Sequence, residues 1–178
     1  QKRCPAVWEA LANETQIDRA WVRQFSDGEA QDLLAASMIW GFGPVGYGPH
    51  RVGLMLAKDD AANIAHEIRA AAKNSPKAGF QALFRNWRPR LPYLGVAFGT
   101  KLVAFAAPTN QPGSSYIYDK NVWKGLQDVA PAEGFPDSGG RVRSDDYQRY
   151  CDWITRNGKS FGGGESLEFA LFELGKDL

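Results

Sequence analysis

The chain has 178 residues, a formal net charge of +1 and 44% hydrophobic residues. This length suits one domain, 1–178, and the apolar content argues against global disorder. Only two cysteines and two histidines are present, which excludes a disulfide framework and argues against a zinc site. No apolar run reaches the roughly 18–20 residues that cross a bilayer. We expect a monomer in a reducing cytoplasm, with no membrane partner.

Helical periodicity dominates the first half of the chain. The helices predicted there cover 5–13, 15–24 and 26–40, the last with Ser26 as N-cap and Glu29 completing a capping box. The next nine residues, 41–49, contain four glycines and two prolines, which predicts a loop. Three aromatic side chains in or next to this loop are candidates for a surface or a pocket; they are Trp40, Phe42 and Tyr47.

The second half continues as helices separated by glycine and proline. One helix is predicted from Asp59 or Asp60, and another runs from Ser75 until Pro89 breaks it. The segments that follow are a short helix at 90–94, a tight turn at 95–99, a helix at 100–107, a loop at 108–115, extended chain at 116–118, a helix from Asp119, a long loop at 130–143, a helix from Ser144, a flexible stretch at 158–164 and a helix at 165–174. Alternating strand patterns are nearly absent, so the predicted fold class is all-α.

The charges are unevenly distributed along the chain. No acidic residue lies between Glu67 and Asp119, and seven basic residues do. A basic stretch is often only a solvated face, but it also produces a positive field that attracts polyanions. The seven are Arg69, Lys73, Lys77, Arg85, Arg88, Arg90 and Lys101.

Within this stretch, 91–102 has the pattern of two helices joined by a glycine hairpin. Gly95 and Gly99 would let the hairpin backbone approach another group closely. The amides of Gly99, Thr100 and Lys101 are predicted to face outward at the start of the second helix, where they suit a phosphate oxygen. The hairpin therefore predicts a contact with the DNA backbone that reads no sequence.

The region 90–126 resembles the helix–hairpin–helix superfamily of DNA glycosylases, and most closely the branch of 8-oxoguanine DNA glycosylases. In that branch the hairpin ends in Gly-Thr-Lys with the lysine as nucleophile, and Gly99-Thr100-Lys101 matches it. A catalytic aspartate opens the helix after the next loop and is followed by tryptophan, as Asp119 is by Trp123. The resemblance implies a compact helical glycosylase fold.

The chain also departs from the family pattern. Ala97 stands where the first hairpin glycine is usual, and Asn121 stands where a phosphate-contacting histidine is usual. With two cysteines the chain lacks the family's iron–sulfur cluster. The resemblance implies chemistry without a cofactor or metal, although hairpins of this kind can hold a structural monovalent cation on backbone carbonyls.

The implied substrate is double-stranded DNA with a damaged or modified base, 8-oxoguanine first among them. Lys101 would attack C1′ of a flipped nucleotide as a neutral amine, and ionised Asp119 would stabilise the positive sugar. A Schiff base would follow, with β-elimination as an associated lyase activity.

Several residues are predicted to surround this chemistry. Phe105 lies one helical turn beyond Lys101 and either stacks on the base or fills the core, with the core favoured. Other candidate walls of the base pocket are the loop that carries Trp40, Phe42 and Tyr47, and the C-terminal helix with Phe169 and Phe172. The DNA backbone is expected to cross Arg85, Arg88, Arg90, Gly95, Ala97, Gly99, Thr100 and Asn121.

Three alternatives remain open from the sequence. The chain could be a non-catalytic domain that binds DNA through its hairpin alone. It could be an unrelated helical interaction protein whose aromatic residues form the core, and salt-dependent DNA binding would separate the two. Within the glycosylase reading, the substrate could be a hypermodified base of phage DNA, which would make the activity antiviral.

Overall fold

The computed structural model describes residues 3–14, 16–43, 47–109 and 111–178, and these are mainly helical. Within these ranges the chain forms ten α-helices and a single two-stranded antiparallel hairpin, which confirms the all-α class. The elements are α1 (Pro5–Ala12), α2 (Arg19–Arg23), α3 (Ala30–Phe42), α4 (Gly48–Leu56), α5 (Ala61–Asn74), α6 (Pro76–Ala82), β1 (Phe84–Arg85), β2 (Arg88–Pro89), α7 (Val96–Ala106), α8 (Lys120–Val129), α9 (Ser144–Asn157) and α10 (Gly164–Asp177). None of these helices combines the length and apolarity needed to span a membrane.

Side-chain caps fix the start of three helices. Asp18, Ser75 and Asp119 each accept a hydrogen bond from the backbone amide three residues later, at the starts of α2, α6 and α8. Such caps satisfy amides that have no partner within the helix. The helix starts predicted at Ser75 and Asp119 are therefore confirmed, and each cap also fixes the direction in which its helix leaves the preceding loop.

The apolar helix α7 lies at the centre of the fold. Eight of its eleven residues are buried, and it packs against α3, α5 and α6. On another side, α8 and α10 lie in unusually close contact, because Gly125 and Gly175 have no side chain: a Cβ at either position would overlap backbone of the facing helix. This contact brings α10 against the helix that begins at Asp119.

The glycine-rich loop predicted at 41–49 is wrong at both ends. Trp40 through Phe42 belong to α3, and Gly48 opens the helix α4, while 44–46 lie outside the described residues. Proline is tolerated in the first turn of a helix, where its missing amide would have no partner in any case, so Pro49 lies in the first turn of α4 instead of marking a loop. Ser26 also differs from prediction, since its hydroxyl donates to the carbonyl of Arg23 at the end of α2 instead of capping α3.

The region before α7 differs most from prediction. The helix that starts at Pro76 ends at Ala82, and β1 pairs with β2 around a turn at Asn86 and Trp87. No helix forms at 90–94, and the predicted turn at 95–99 is helical, because α7 already starts at Val96. The apolar spacing of Phe84 and Trp87 imitates a helical stripe, but these side chains belong to a strand and a turn.

Candidate active site

The two residues predicted to be catalytic lie in contact. The Nζ atom of Lys101 on α7 donates to Oδ2 of Asp119 at 3.2 Å and to the carbonyl oxygen of Ala97 at 3.3 Å. Lys101 is only 8% exposed, which is unusual for a lysine. The buried amine thus has one charged and one neutral acceptor.

Asp119 uses both carboxylate oxygens. Oδ1 accepts the amide of Val122 at 3.1 Å as the N-cap of α8, while Oδ2 faces Lys101. The cap therefore fixes the position of the carboxylate beside the amine.

A glycine makes room for the lysine. Gly41 near the end of α3 faces the Lys101 side chain, and a Cβ there would lie 2.9 Å from Cδ of Lys101 and 3.2 Å from the ring of Phe98. Both distances are shorter than ordinary carbon–carbon contacts. The aliphatic part of Lys101 is thus confined between α3 and its own helix.

The extended segment 116–118, which leads into the aspartate, is hydrogen-bonded on both edges. Its carbonyls accept the hydroxyls of Tyr147 and Tyr150 from α9, at 2.8 and 2.6 Å. Its amides donate to Oγ1 of Thr100 and Oε2 of Glu168, each at 3.0 Å. Burial raises the pKa of both tyrosines well above the usual value, so their hydroxyls remain donors.

Glu168 links this segment to a second charged group. Its side chain is buried and its other oxygen accepts from Arg19 of α2 at 2.6 Å. Burial raises the pKa of Glu168, while Arg19 and the amide of Ile117 oppose that shift by stabilising the ionised form. Arg19 in turn lies against the ring of Trp40, 5.6 Å from its centroid.

A cavity of about 760 Å³ opens onto Lys101 and Asp119. This volume lies in the range of small-molecule sites. The cavity combines an aromatic wall with polar groups at the edge, since α3 and α10 contribute rings while α2 and α10 contribute charges and a hydroxyl. Besides Lys101 and Asp119, this wall and edge include Trp40, Phe169, Phe172, Arg19, Glu165 and Ser166.

The structure sorts the predicted pocket residues into two groups. Trp40, Phe169 and Phe172 line the cavity. Phe105 does not: it is buried behind the wall, with its ring 5.2 Å from that of Trp40 in an edge-on arrangement, so it belongs to the core. Phe42 packs on Phe98 and the side chain of Tyr47 is 71% exposed, and neither lines the cavity.

The predicted phosphate contacts of the hairpin need correction. Gly99 and Thr100 are buried within α7 instead of facing outward, because Gly99 packs against Leu83 and the Thr100 hydroxyl holds the segment before Asp119. The first turn of α7 remains accessible, with Gly95 and Ala97 partly exposed. Asn121, in the first turn of α8, is also partly exposed.

Acidic residues pair with some of the basic residues on the predicted basic face. Arg90 pairs with Glu67 at 2.6 Å and also donates to the carbonyl of Ala82. Lys77 pairs with Asp145 at 2.6 Å. Arg85 and Arg88 are exposed and have no ionic partner among the described residues.

Sequence reasoning missed the ionic groups of the cavity. Arg19 and Arg23 lie four residues apart on α2, and Glu165 and Glu168 lie three apart on α10, so each pair occupies one helix face. Arg23 pairs with Glu165, and Arg19 with Glu168. The complementary spacing of these pairs was the available signal, since both helices carry the charges beside apolar residues of the core.

Comparison with known proteins extends the resemblance beyond the central region. A protein-family model described as "Putative 8-oxoguanine DNA glycosylase OGG-like protein" matches residues 1–172. Neither the curated proteins nor the solved structures contain a match.

Proposed function

We propose that this chain, which belongs to the family of OGG-like proteins described as putative 8-oxoguanine DNA glycosylases, excises a damaged or modified base from double-stranded DNA. The observation that carries the proposal is the contact between Lys101 and Asp119 on the wall of a cavity large enough for a base. A domain that only gripped DNA through its hairpin would need neither the buried lysine nor this cavity.

The target nucleotide must leave the helix, because C1′ of the sugar is inaccessible within a stacked duplex. In the proposal the base enters the cavity between Trp40 and Phe169, and the sugar remains at the mouth beside Lys101. The two rings offer apolar surface to the base faces. Glu165 and Ser166 place hydrogen-bond acceptors near the base edge, which suits a guanine-type base because its edge carries adjacent N–H donors.

Bond cleavage begins once Lys101 has lost its proton. Its Nζ lone pair attacks C1′, the bond from C1′ to the base breaks, and the electron pair leaves with the base, which takes up a proton. Asp119 stabilises the positive charge that develops on the sugar and accepts a proton from the amine. Its position, 3.2 Å from Nζ before any reaction, supports both roles.

The bond between C1′ and O4′ then breaks, O4′ takes up a proton, and the nitrogen of Lys101 forms a double bond to C1′. This Schiff base acidifies C2′, and loss of a proton there expels the 3′ phosphate by β-elimination. The lyase step needs no further protein group than one that accepts the C2′ proton. No step of this scheme requires the structural cation that hairpins of this kind can hold.

Borohydride trapping tests the proposal. Reduction of the Schiff base should link the wild-type protein covalently to a duplex with 8-oxoguanine, and Lys101→Ala should abolish the adduct. Lys159→Ala, on an exposed lysine that does not line the cavity, is the matched control and should trap like wild type.

The outcomes separate mechanism from substrate. Base excision without any trapped adduct would remove Lys101 from the role of nucleophile. Trapping on an abasic duplex but not on 8-oxoguanine would keep the nucleophile and reject the substrate, and a panel of other modified bases would then identify it. If the protein shows no excision and no trapping on any of these duplexes, the glycosylase proposal is contradicted.

A further inference from the structure

Trp87 is presented at the tip of the hairpin formed by β1 and β2. Its side chain is 62% exposed, and both Asn86 and Trp87 have positive φ angles, 51° and 65°. Two-residue hairpin loops commonly adopt a turn in which both central residues have positive φ, but a bulky side chain rarely occupies such a position. The turn therefore holds a large apolar ring in solvent.

An arginine covers one side of this ring. The guanidinium of Arg141, from the loop before α9, lies 4.1 Å from the centroid of the Trp87 ring. This stacking restricts the orientation of the ring. Because the side chain is still largely exposed, its second face is available to another planar group.

A groove of about 940 Å³ runs beside this pair. It extends from the hairpin past Arg141 and Arg143 and reaches Val96, the first residue of α7. Neither arginine has an acidic partner within the described ranges. Among the described residues, the one acid that lines the groove is Asp145, which is paired with Lys77. The groove is therefore lined by an aromatic face and uncompensated positive charge.

We propose that this groove binds single-stranded DNA, with a base stacked on the open face of Trp87 and phosphates bound by Arg141 and Arg143. A positive groove combined with an exposed aromatic side chain is how proteins hold single strands without reading their sequence. Continuous duplex does not fit the feature, since both faces of each base are already stacked there. A single strand exposes base faces to the ring.

The position of the groove joins it to the duplex site. Val96 lies five residues before Lys101 on α7, a rise of about 7.5 Å along the helix. The protein thus binds DNA in which a single-stranded stretch adjoins the duplex. This site is independent of the Lys101 chemistry and adds to the proposed function a preference for interrupted DNA.

Equilibrium binding to two probes tests the inference. One probe is a blunt duplex, and the other is the same duplex with a single-stranded thymidine tail of about ten nucleotides. Wild type should bind the tailed probe more tightly by about ten-fold or more, the size expected for one stacked base. Trp87→Ala should abolish that gain, and Trp87→Phe should keep most of it.

Phe161→Ala is the matched control, because Phe161 is 54% exposed and lines neither the groove nor the cavity. It should retain the full gain. Equal affinity of wild type for both probes would overturn the proposal, as would a gain that survives Trp87→Ala. A gain lost in the double variant Arg141→Ala/Arg143→Ala but kept in Trp87→Ala would leave only charge attraction and reject the stacking site.

Two further measurements keep the result interpretable. Unchanged thermal unfolding of Trp87→Ala would exclude misfolding as the cause of a lost gain. Lys101→Ala should keep the preference for the tailed probe and lose borohydride trapping, so failure of the glycosylase proposal and failure of this one give different results.

Discussion

The proposed role of Lys101 places two demands on this side chain that usually conflict. A buried ammonium group without partners is strongly unfavourable, and Asp119 and the Ala97 carbonyl supply those partners. A nucleophilic lysine must also lose its proton, and the same carboxylate is the nearest acceptor. Asp119 has a second task as the cap of α8, and a substitution can separate the two because asparagine also caps helices.

Asp119→Asn should keep the fold and DNA binding but excise the base at least ~10²-fold more slowly, the scale of losing one electrostatic stabiliser of the transition state. The charge next to Nζ disappears while the cap to Val122 persists. Single-turnover excision under saturating protein measures the rate of the chemical step, and denaturant unfolding measures the fold.

A closely matched control exists on the same chain. Asp137 also pairs with a lysine, at 3.4 Å, and also accepts a backbone amide, from Gly139 at 2.7 Å, but does not line the cavity. Asp137→Asn should excise at the wild-type rate. Near-normal excision by a well-folded Asp119→Asn protein would exclude its carboxylate from the mechanism.

At the scale of elements, the sequence predicted the centre of the site better than its surroundings. The motif was recognisable from the spacing of Lys101 and Asp119. The start of α8 was predictable because the side chain of Asp119 itself caps the helix. The hairpin register was wrong because Gly99 was interpreted as a turn residue, whereas it is small to allow packing against Leu83. A glycine needed for close packing and one needed for a turn look alike in sequence.

The segment 116–118 links α9 to Asp119 through hydrogen bonds. Tyr147 and Tyr150 of α9 have the sequence pattern of ordinary core residues. Nothing in the sequence indicates that their hydroxyls donate to backbone carbonyls of the segment 116–118. Tyr150 is fully buried and its hydroxyl donates to Ile117 at 2.6 Å, two residues before Asp119. The hydroxyls of Tyr147 and Tyr150 therefore hold the segment that leads into Asp119 and α8.

Tyr150→Phe should lower the free energy of unfolding by about 1–3 kcal/mol, because it leaves a buried carbonyl without its donor. Urea unfolding measures this change. Tyr93→Phe, on a tyrosine that is exposed, removes a hydroxyl in contact with solvent and should change stability little. Equal stability of Tyr150→Phe and wild type would mean that a water replaces the lost donor and that the hydrogen bond does not fix the segment.

At the scale of the whole molecule, the cavity is assembled from distant parts of the chain. Arg19 comes from α2, Trp40 from α3, Lys101 from α7 and Glu168 from α10. Local pattern cannot predict which faces of four helices will meet. Candidates for the aromatic wall could therefore be named from the sequence, but the ionic edge of the cavity could not. The close α8–α10 contact, which depends on glycines, is what brings the last of these helices to the site.

The three-dimensional structure changes the interpretation of the acid-free stretch, because it shows which basic residues have ionic partners. The acid-free stretch suggests that Arg85, Arg88 and Arg90 act together, but Arg90 is paired with Glu67 of α5. Arg85 and Arg88 are direct cross-strand partners in the hairpin. Like charges opposite one another destabilise a strand pair, and a bound phosphate would relieve that repulsion.

The double variant Arg85→Ala/Arg88→Ala should flatten the slope of log affinity against log salt by up to about two units on blunt duplex, since each cation that contacts a phosphate contributes about one. The loss should be similar for damaged and undamaged DNA, because phosphate contacts position the protein without reading bases. Arg90→Ala should change the slope less, as Arg90 would have to leave Glu67 to reach DNA.

Arg156→Ala, on an exposed arginine of α9, is the control and should leave the slope unchanged. A slope that stays at the wild-type value in the double variant would place the duplex on another face, and a slope that falls most in Arg90→Ala would mean that the pair with Glu67 opens when DNA binds.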